Sequence, residues 1–192
     1  MKQIIVALDA GHGLKTAGKR CMKSIDKKET REFVLNERIA SRVTELVKVY
    51  PFIKVVRTND VTGEVDTPLS SRCSIAIGVK ANLFISIHHN AGAKGGKSGG
   101  TTVYTYKGSK HTFQVDLYKK LIKHTQLKGN RASGCLQDRF HVLRYTNMPA
   151  VLIENGFMDS IIDTPIILTE EHAERTAQAI ASFLVEYATK ED

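Results

Sequence analysis

Apolar and polar positions follow two periods along this chain, and the switches between them mark out its elements. IIVAL (Ile4 to Leu8) is a short unbroken apolar run of the kind that forms a buried strand, and it ends at the turn DAGHG. The stretch from Gly13 to Arg31 is polar and irregular. Beyond it, Phe33, Ile39, Val43, Leu46 and Val47 recur at helical spacing, which predicts a helix from Glu32 to Val47. IKVVRT reads as a second strand, Pro68 opens a helical stretch through SSRCSIAIGVKA, and NLFISIH reads as a third strand, an alternation that belongs to an α/β sheet. TTVYTY supplies a fourth strand, and Phe113, Leu117, Leu121 and Ile122 mark a helix in KHTFQVDLYKKLIKHT. FHVLRY and AVLIENGF read as late strands, and EEHAERTAQAIASFLVEYA closes the chain as a helix. With no repeat, low-complexity tract or internal linker, residues 1–192 are expected to form a single α/β domain. The glycine-rich AGAKGGKSGG is too short to join domains and reads as a loop beside a site.

Composition narrows the class. With 42% hydrophobic and 25% charged residues in 192, the chain has the make-up of one globular domain with a sizeable core. Lysine and arginine number 28 against 20 aspartates and glutamates, a formal net charge of +8 that draws the molecule toward polyanions such as nucleic acid, an anionic membrane or an acidic wall polymer. The basic residues are scattered and tryptophan is absent, so stacking on single-stranded bases has little support. Cys21, Cys73 and Cys135 are odd in number and form no CxxC pair, which points to reduced thiols and synthesis in the cytosol. IIVAL is shorter than the hydrophobic region of a signal peptide, and no apolar run approaches the ~20 residues needed to span a bilayer. Neither a signal peptide nor membrane insertion is therefore expected.

The candidate chemistry lies at strand ends. In ANLFISIHHNAG, His88 and His89 are neighbours on a strand and point to opposite faces, so one of them is expected to be functional; parity alone leaves the choice open. His12 follows the first strand, His88 ends the third, Glu154 ends VLIE, and Glu32 opens the first helix. If the strands are parallel, these residues gather along one edge of the sheet, where open α/β folds place their ligands. Two histidines and a carboxylate form a familiar ligand set for catalytic zinc, and here a second carboxylate is left over. His111, His124, His141 and His172 read as surface or satisfied helix residues, Cys135 as a buried or incidental thiol. The Gly95 to Gly100 stretch lacks the phosphate-loop pattern and precedes a strand instead of a helix.

DAGHG, the E-x-x-x-N of Glu32 and Asn36, Arg72 in PLSSR, ANLFISIHHNA, FHVLR and PAVLIENGF occur in the order seen in zinc-dependent N-acetylmuramoyl-L-alanine amidases of the Amidase_3 type, which the chain resembles over nearly its whole length. The resemblance implies a mixed, mostly parallel sheet flanked by helices, which the pattern above would build from about six strands. It implies zinc held by His12, Glu32 and His88, with Glu154 as catalytic acid/base, and gives His88 the invariant place and His89 the variable one. The usual GHGG is here GHGL, an acidic residue is missing from LKTAGKR, and Lys15 to Arg31 has no close match. Glu29 lies nearby, but only Glu32 has the asparagine of the motif.

The substrate implied is the amide joining the lactyl group of N-acetylmuramic acid to the first L-alanine of a peptidoglycan stem. Asn90 and Arg144 are candidate substrate contacts, the latter through a planar guanidinium suited to a carboxylate. The expected partners are peptidoglycan and, through the basic surface, anionic wall polymers; no nucleic-acid partner is expected, and a monomer is. Without a signal peptide the expected route to the wall is lysis, as for a phage or prophage lysin. A zinc peptidase cutting within the stem, and a non-catalytic basic wall- or nucleic-acid-binding module with structural zinc, are the rival readings.

Overall fold

The computed structural model describes residues 2–125, 127–129 and 133–190. Strands β1 (Ile4–Ala10), β2 (Ile53–Arg57), β3 (Leu83–Asn90), β4 (Thr101–Tyr106), β5 (Cys135–Asp138) and β6 (Ala150–Phe157) form one sheet in the order β2-β1-β3-β6-β4-β5. The helices are α1 (Glu32–Val47), α2 (Leu69–Gly78), α3 (Phe113–Thr125), α4 (His141–Arg144), α5 (Thr164–Ile167) and α6 (Glu170–Lys190). β2, β1, β3 and β6 run parallel, β4 is antiparallel to β6, and β5 is parallel to β4. The sheet is therefore mixed and mostly parallel, as expected, and the central strands are apolar on both sides because both faces are covered.

Alternate residues of the central strands feed two different cores. Val6, Leu8, Ile85, Ile87, Val151 and Ile153 pack with Ile39, Val43, Leu121 and Leu184 from the layer of α1, α3 and α6. Their neighbours Ala7, Phe84 and Leu152 pack with Cys73, Ala76, Val142 and Leu143 from α2 and α4. This two-sided burial fixes the register, since a slip of one residue would exchange the two sets.

One expected strand is replaced by another. FHVLRY is not extended: the N–H groups of Leu143 and Arg144 both donate to the Phe140 carbonyl, at 3.1 and 3.0 Å, closing a helical turn. Val142 and Leu143 are consecutive and both buried, which a turn of helix allows and a one-sided strand does not. The sixth strand is instead β5, a four-residue edge strand whose residues are half-buried or exposed and so carry no hydrophobic period. α5 was likewise not anticipated. Among the described residues no helix is long and apolar enough to cross a membrane.

His172 of α6, read from sequence as a surface or satisfied helix residue, is 3% exposed, and burial pushes its imidazole down to about 4. A base whose folded value lies below its unfolded value gives stability that is complete above the unfolded value and is lost as pH falls. Unfolding free energy should therefore decline between about pH 6.5 and 4, by roughly 2–3 kcal/mol from this group. Urea unfolding at pH 7.5 and 4.5 should show the decline, and His172→Gln should flatten it; an unchanged pH slope in that variant would disprove the assignment.

Candidate active site

The parallel run β1, β3, β6 brings His12, His88 and Glu154 to the carboxyl edge of the sheet. Residues paired across a ladder point to the same face, and Asp9 is paired with Ser86, and His88 with Glu154. Asp9, Ser86, His88, Leu152 and Glu154 thus share the face of the α2 and α4 layer. His89 points the other way, between α1 and α6, and is 3% exposed. Its Nδ1 lies 2.8 Å from Asn36 Oδ1, and burial drives its imidazole down to about 3, so it is a neutral core residue. Parity thus sends His89 into the layer of α1 and α6 and leaves His88 facing the cleft, beside Glu32.

Glu32 enters from the first turn of α1. Its main-chain N–H donates to the Lys19 carbonyl at 3.0 Å, and its side chain, 1% exposed, reaches between the two histidines. His88 Nδ1 is 3.0 Å from Glu32 Oε1, which also accepts the His89 N–H at 3.2 Å. His12 Nε2 lies 3.2 Å from Glu32 Oε2. That approach lacks hydrogen-bond geometry, and Oε2 is a buried acceptor without a hydrogen-bond partner. Donor atoms of His12, Glu32 and His88 all lie within 4.8 Å of one another. Two imidazole nitrogens and a carboxylate oxygen, drawn together around a buried oxygen that no hydrogen bond satisfies, fit a divalent metal ion of the zinc type. Burial pushes the Glu32 carboxyl up, but the two imidazoles outweigh it and hold the group well below the usual carboxylate range. His88 is raised, its burial overcome by Glu32.

The turn that presents His12 is held from three sides. His12 itself has φ 67°, a left-handed conformation that costs a non-glycine residue energy and persists only where its surroundings impose it. Arg72, 1% exposed, donates to the carbonyls of Ala10 at 2.7 Å and His12 at 3.1 Å while pairing with Asp9 at 2.7 Å. Ser86 and Thr58 hydroxyls satisfy Asp9 as well, at 2.7 and 2.8 Å. Asn36 Nδ2 donates to the Gly11 carbonyl at 3.1 Å, so the asparagine of the E-x-x-x-N pattern ties α1 to the histidine turn. A Cβ at Gly11 would overlap the His88 ring. Gly11→Ala should therefore displace that imidazole and weaken metal binding by at least the 10–100-fold typical of disturbed ligand support, measured by chelator competition; wild-type affinity would show that the ring has room to yield.

Glu154 stands beside this cluster in a cleft of about 410 Å³ whose walls include Glu32, His88, Asn90, Tyr104, Phe140 and Met158. Its Oε2 is buried without a hydrogen-bond partner, and burial, reinforced by Glu32, pushes its carboxyl up to about 7 against the opposing charge of His88 and Lys19. Asn90 lines the cleft, with its Oδ1 accepting the Ala91 N–H at 2.8 Å. The loop that follows is tied down where Gly92 and Lys94 donate to the Asp159 carboxylate at 2.9 and 2.8 Å. Arg144 is not brought in: it is exposed on α4, its guanidinium 5.2 Å from the Tyr145 ring centre, and it does not line the cleft. Glu29 is also apart from the cluster, 3.4 Å from Arg20. Sequence reasoning missed Lys19, whose Nζ is 4.0 Å from Glu32 Oε2, because the irregular segment around it has no period to read. It also gave no role to the Asp9–Arg72 pair, although both residues lie in the motifs it singled out.

Fold and site together define an open α/β protein with a His-Glu-His donor set at the carboxyl edge of its parallel strands and a buried carboxyl pushed up to about 7 beside it. The chain belongs to the Amidase_3 family, described as N-acetylmuramoyl-L-alanine amidase, whose pattern matches residues 6–186. It is 32% identical over 189 residues to the probable cell wall amidase LytH of Staphylococcus saprophyticus, covering 97% of this chain and 59% of that protein. The endolysin of Bacillus phage SPP1 is 33% identical over 189 residues, covering 94% of this chain and 66% of the phage protein. This chain thus spans about three fifths of the length of the LytH relative it matches. Among solved structures, the catalytic domain of CwlV, an N-acetylmuramoyl-L-alanine amidase from Bacillus (Paenibacillus) polymyxa var. colistinus, superposes with a TM-score of 0.86 at 31% identity, covering 98% of this chain and 99% of that one.

Proposed function

We propose that this chain is a zinc-dependent N-acetylmuramoyl-L-alanine amidase that hydrolyses the bond between muramic acid and L-alanine in peptidoglycan. The observation that carries the proposal is the convergence of His12, Glu32 and His88 donors within 4.8 Å beside a carboxyl held up to about 7. A zinc ion held by these three residues would supply Lewis acidity toward the carbonyl and bring the pKa of water from ~15.7 to about 7. Glu154 then does the proton work: it accepts the proton of the water that adds to the carbonyl carbon and delivers it to the alanine nitrogen as the C–N bond breaks. A carboxyl near neutrality suits both steps, since it is a base strong enough to receive the proton and an acid strong enough to release it. Tyr104, Phe140 and Met158 give the cleft the apolar wall that keeps Glu154 poorly solvated.

Among the described residues the cluster has three donor side chains, which favours an open catalytic position over a closed four-ligand structural site. The net charge of +8 supports an approach to anionic wall polymers. Mass analysis of digested wall tests the chemistry: the amidase yields free lactyl groups and new L-alanine N-termini, whereas new termini within the stem would identify a peptidase, and salt-sensitive binding without cleavage a wall-binding module.

A further inference from the structure

Lys19 is placed with more care than an irregular loop requires. Its carbonyl accepts the N–H of Glu32 at 3.0 Å, Arg20 pairs with Arg31 in an antiparallel bridge, and the Cys21 N–H donates to the Thr30 carbonyl at 2.8 Å. These contacts fold residues 19–32 back on themselves and lock the Lys19 main chain to the first residue of α1. Its side chain, 47% exposed, brings Nζ to 4.0 Å from Glu32 Oε2, the oxygen with no hydrogen-bond partner. Among the described residues, Lys19 is the one lysine or arginine lining the cleft, against the carboxylates of Glu32 and Glu154. Exposed along its stem, the side chain still turns its ammonium toward the cleft carboxyls.

The geometry points to Lys19 as a catalytic residue: we propose that its ammonium meets the scissile carbonyl oxygen and stabilises the negative charge that gathers there as water adds. This role rests on the amidase reading given above. The atoms balance without further reagents: water forms the new C–O bond, the carbonyl electron pair moves onto oxygen beside Nζ and returns as the C–N bond breaks, and Glu154 carries the proton from water to nitrogen. Lys19 donates a hydrogen bond and keeps its own proton throughout. Nζ stands at the edge of the donor cluster, 4.0 Å from Glu32 Oε2, and the negative charge that grows on the carbonyl oxygen in the transition state draws it more strongly than the ground state does, which is the differential interaction that lowers a barrier.

Lys19→Met keeps the unbranched apolar stem of an exposed side chain and removes the ammonium. The test compares zinc-loaded wild type, Lys19→Met and Lys19→Arg on a muramyl dipeptide, together with binding of a muramyl phosphinate analogue, a tetrahedral anion, and zinc affinity of the apoproteins by chelator competition. The expected result is a fall in kcat of about 10²–10³-fold in Lys19→Met with KM within a few-fold, an equal loss of phosphinate affinity, unchanged zinc affinity, and partial recovery in Lys19→Arg. Unchanged kcat overturns the role. A raised KM at constant kcat also overturns it, and assigns the ammonium to a stem carboxylate instead; weakened zinc binding overturns it in favour of support for Glu32. Wild type that leaves the dipeptide intact overturns the amidase reading itself, and the catalytic role with it.

Discussion

Glu154→Gln is expected to bind zinc as the wild type does while losing about 10²–10⁴-fold in kcat on wall fragments, the usual worth of a positioned general acid/base. Glutamine preserves the shape of a side chain that is one of the cleft walls but cannot accept the proton of water. The same change should stabilise the fold at neutral pH. A carboxyl raised by burial from 4.5 to about 7 stays protonated in the folded protein while the unfolded chain has already ionised. Its contribution to stability is therefore complete below pH 4.5 and declines as pH rises toward 7, and the amide lacks this decline. A gain on the order of 1–3 kcal/mol in urea unfolding at pH 7 follows, against little difference at pH 4. Metal analysis, turnover and unfolding can be read on one preparation. Retained turnover would remove Glu154 from the mechanism whatever the stability shows.

Removing a metal donor should act in the opposite direction on stability. His12 is the donor to test, because its side chain is 18% exposed and sits on a turn, whereas Glu32 at 1% is built into the core. His12→Ala should cut zinc affinity by well over the 10–100-fold typical of supporting residues and reduce hydrolysis by on the order of 10³-fold. Because an ion that binds only the folded chain adds RT ln(1 + [L]/Kd), the wild type should also melt later with zinc than with a chelator, by about 4 kcal/mol of unfolding free energy at a thousandfold excess over Kd. That shift should vanish in His12→Ala. A variant that keeps both the shift and the activity would show that the donor set is wrong.

What could be read in the sequence follows from what its signals measure. The strands that carry His12, His88 and Glu154 are central and buried on both sides, so their apolar runs were unmistakable, and α1, α3 and α6 announce themselves by period. β5 escaped because an edge strand with half-buried or exposed residues has no contrast to detect. FHVLRY was misread because alternation and a single helical turn are indistinguishable over so few residues. Strand parity alone does not choose between His88 and His89; the family motif gives His88 the invariant place, and the fold puts His89 under α1 and α6, away from the cleft. Arg144 is plausible by chemistry, but it lies exposed beside Tyr145 and is not among the residues lining the cleft. Lys19 carries no signal in its neighbours; only the folding of its loop onto Glu32 brings it to the site.

His88 and Glu154 sit on adjacent strands, and β6 is paired on its other side by β4, so both residues are carried by strands hydrogen-bonded on two sides. Other parts of the cleft lining, Ala17, Gly18 and Ala91 among them, lie on loops beyond the strand ends. Such a layout lets evolution revise one without disturbing the other. Drift in these loops can alter the rim of the cleft while His88 and Glu154 on the strands stay in place, a separation consistent with a shared architecture that persists where fewer than a third of the side chains still agree.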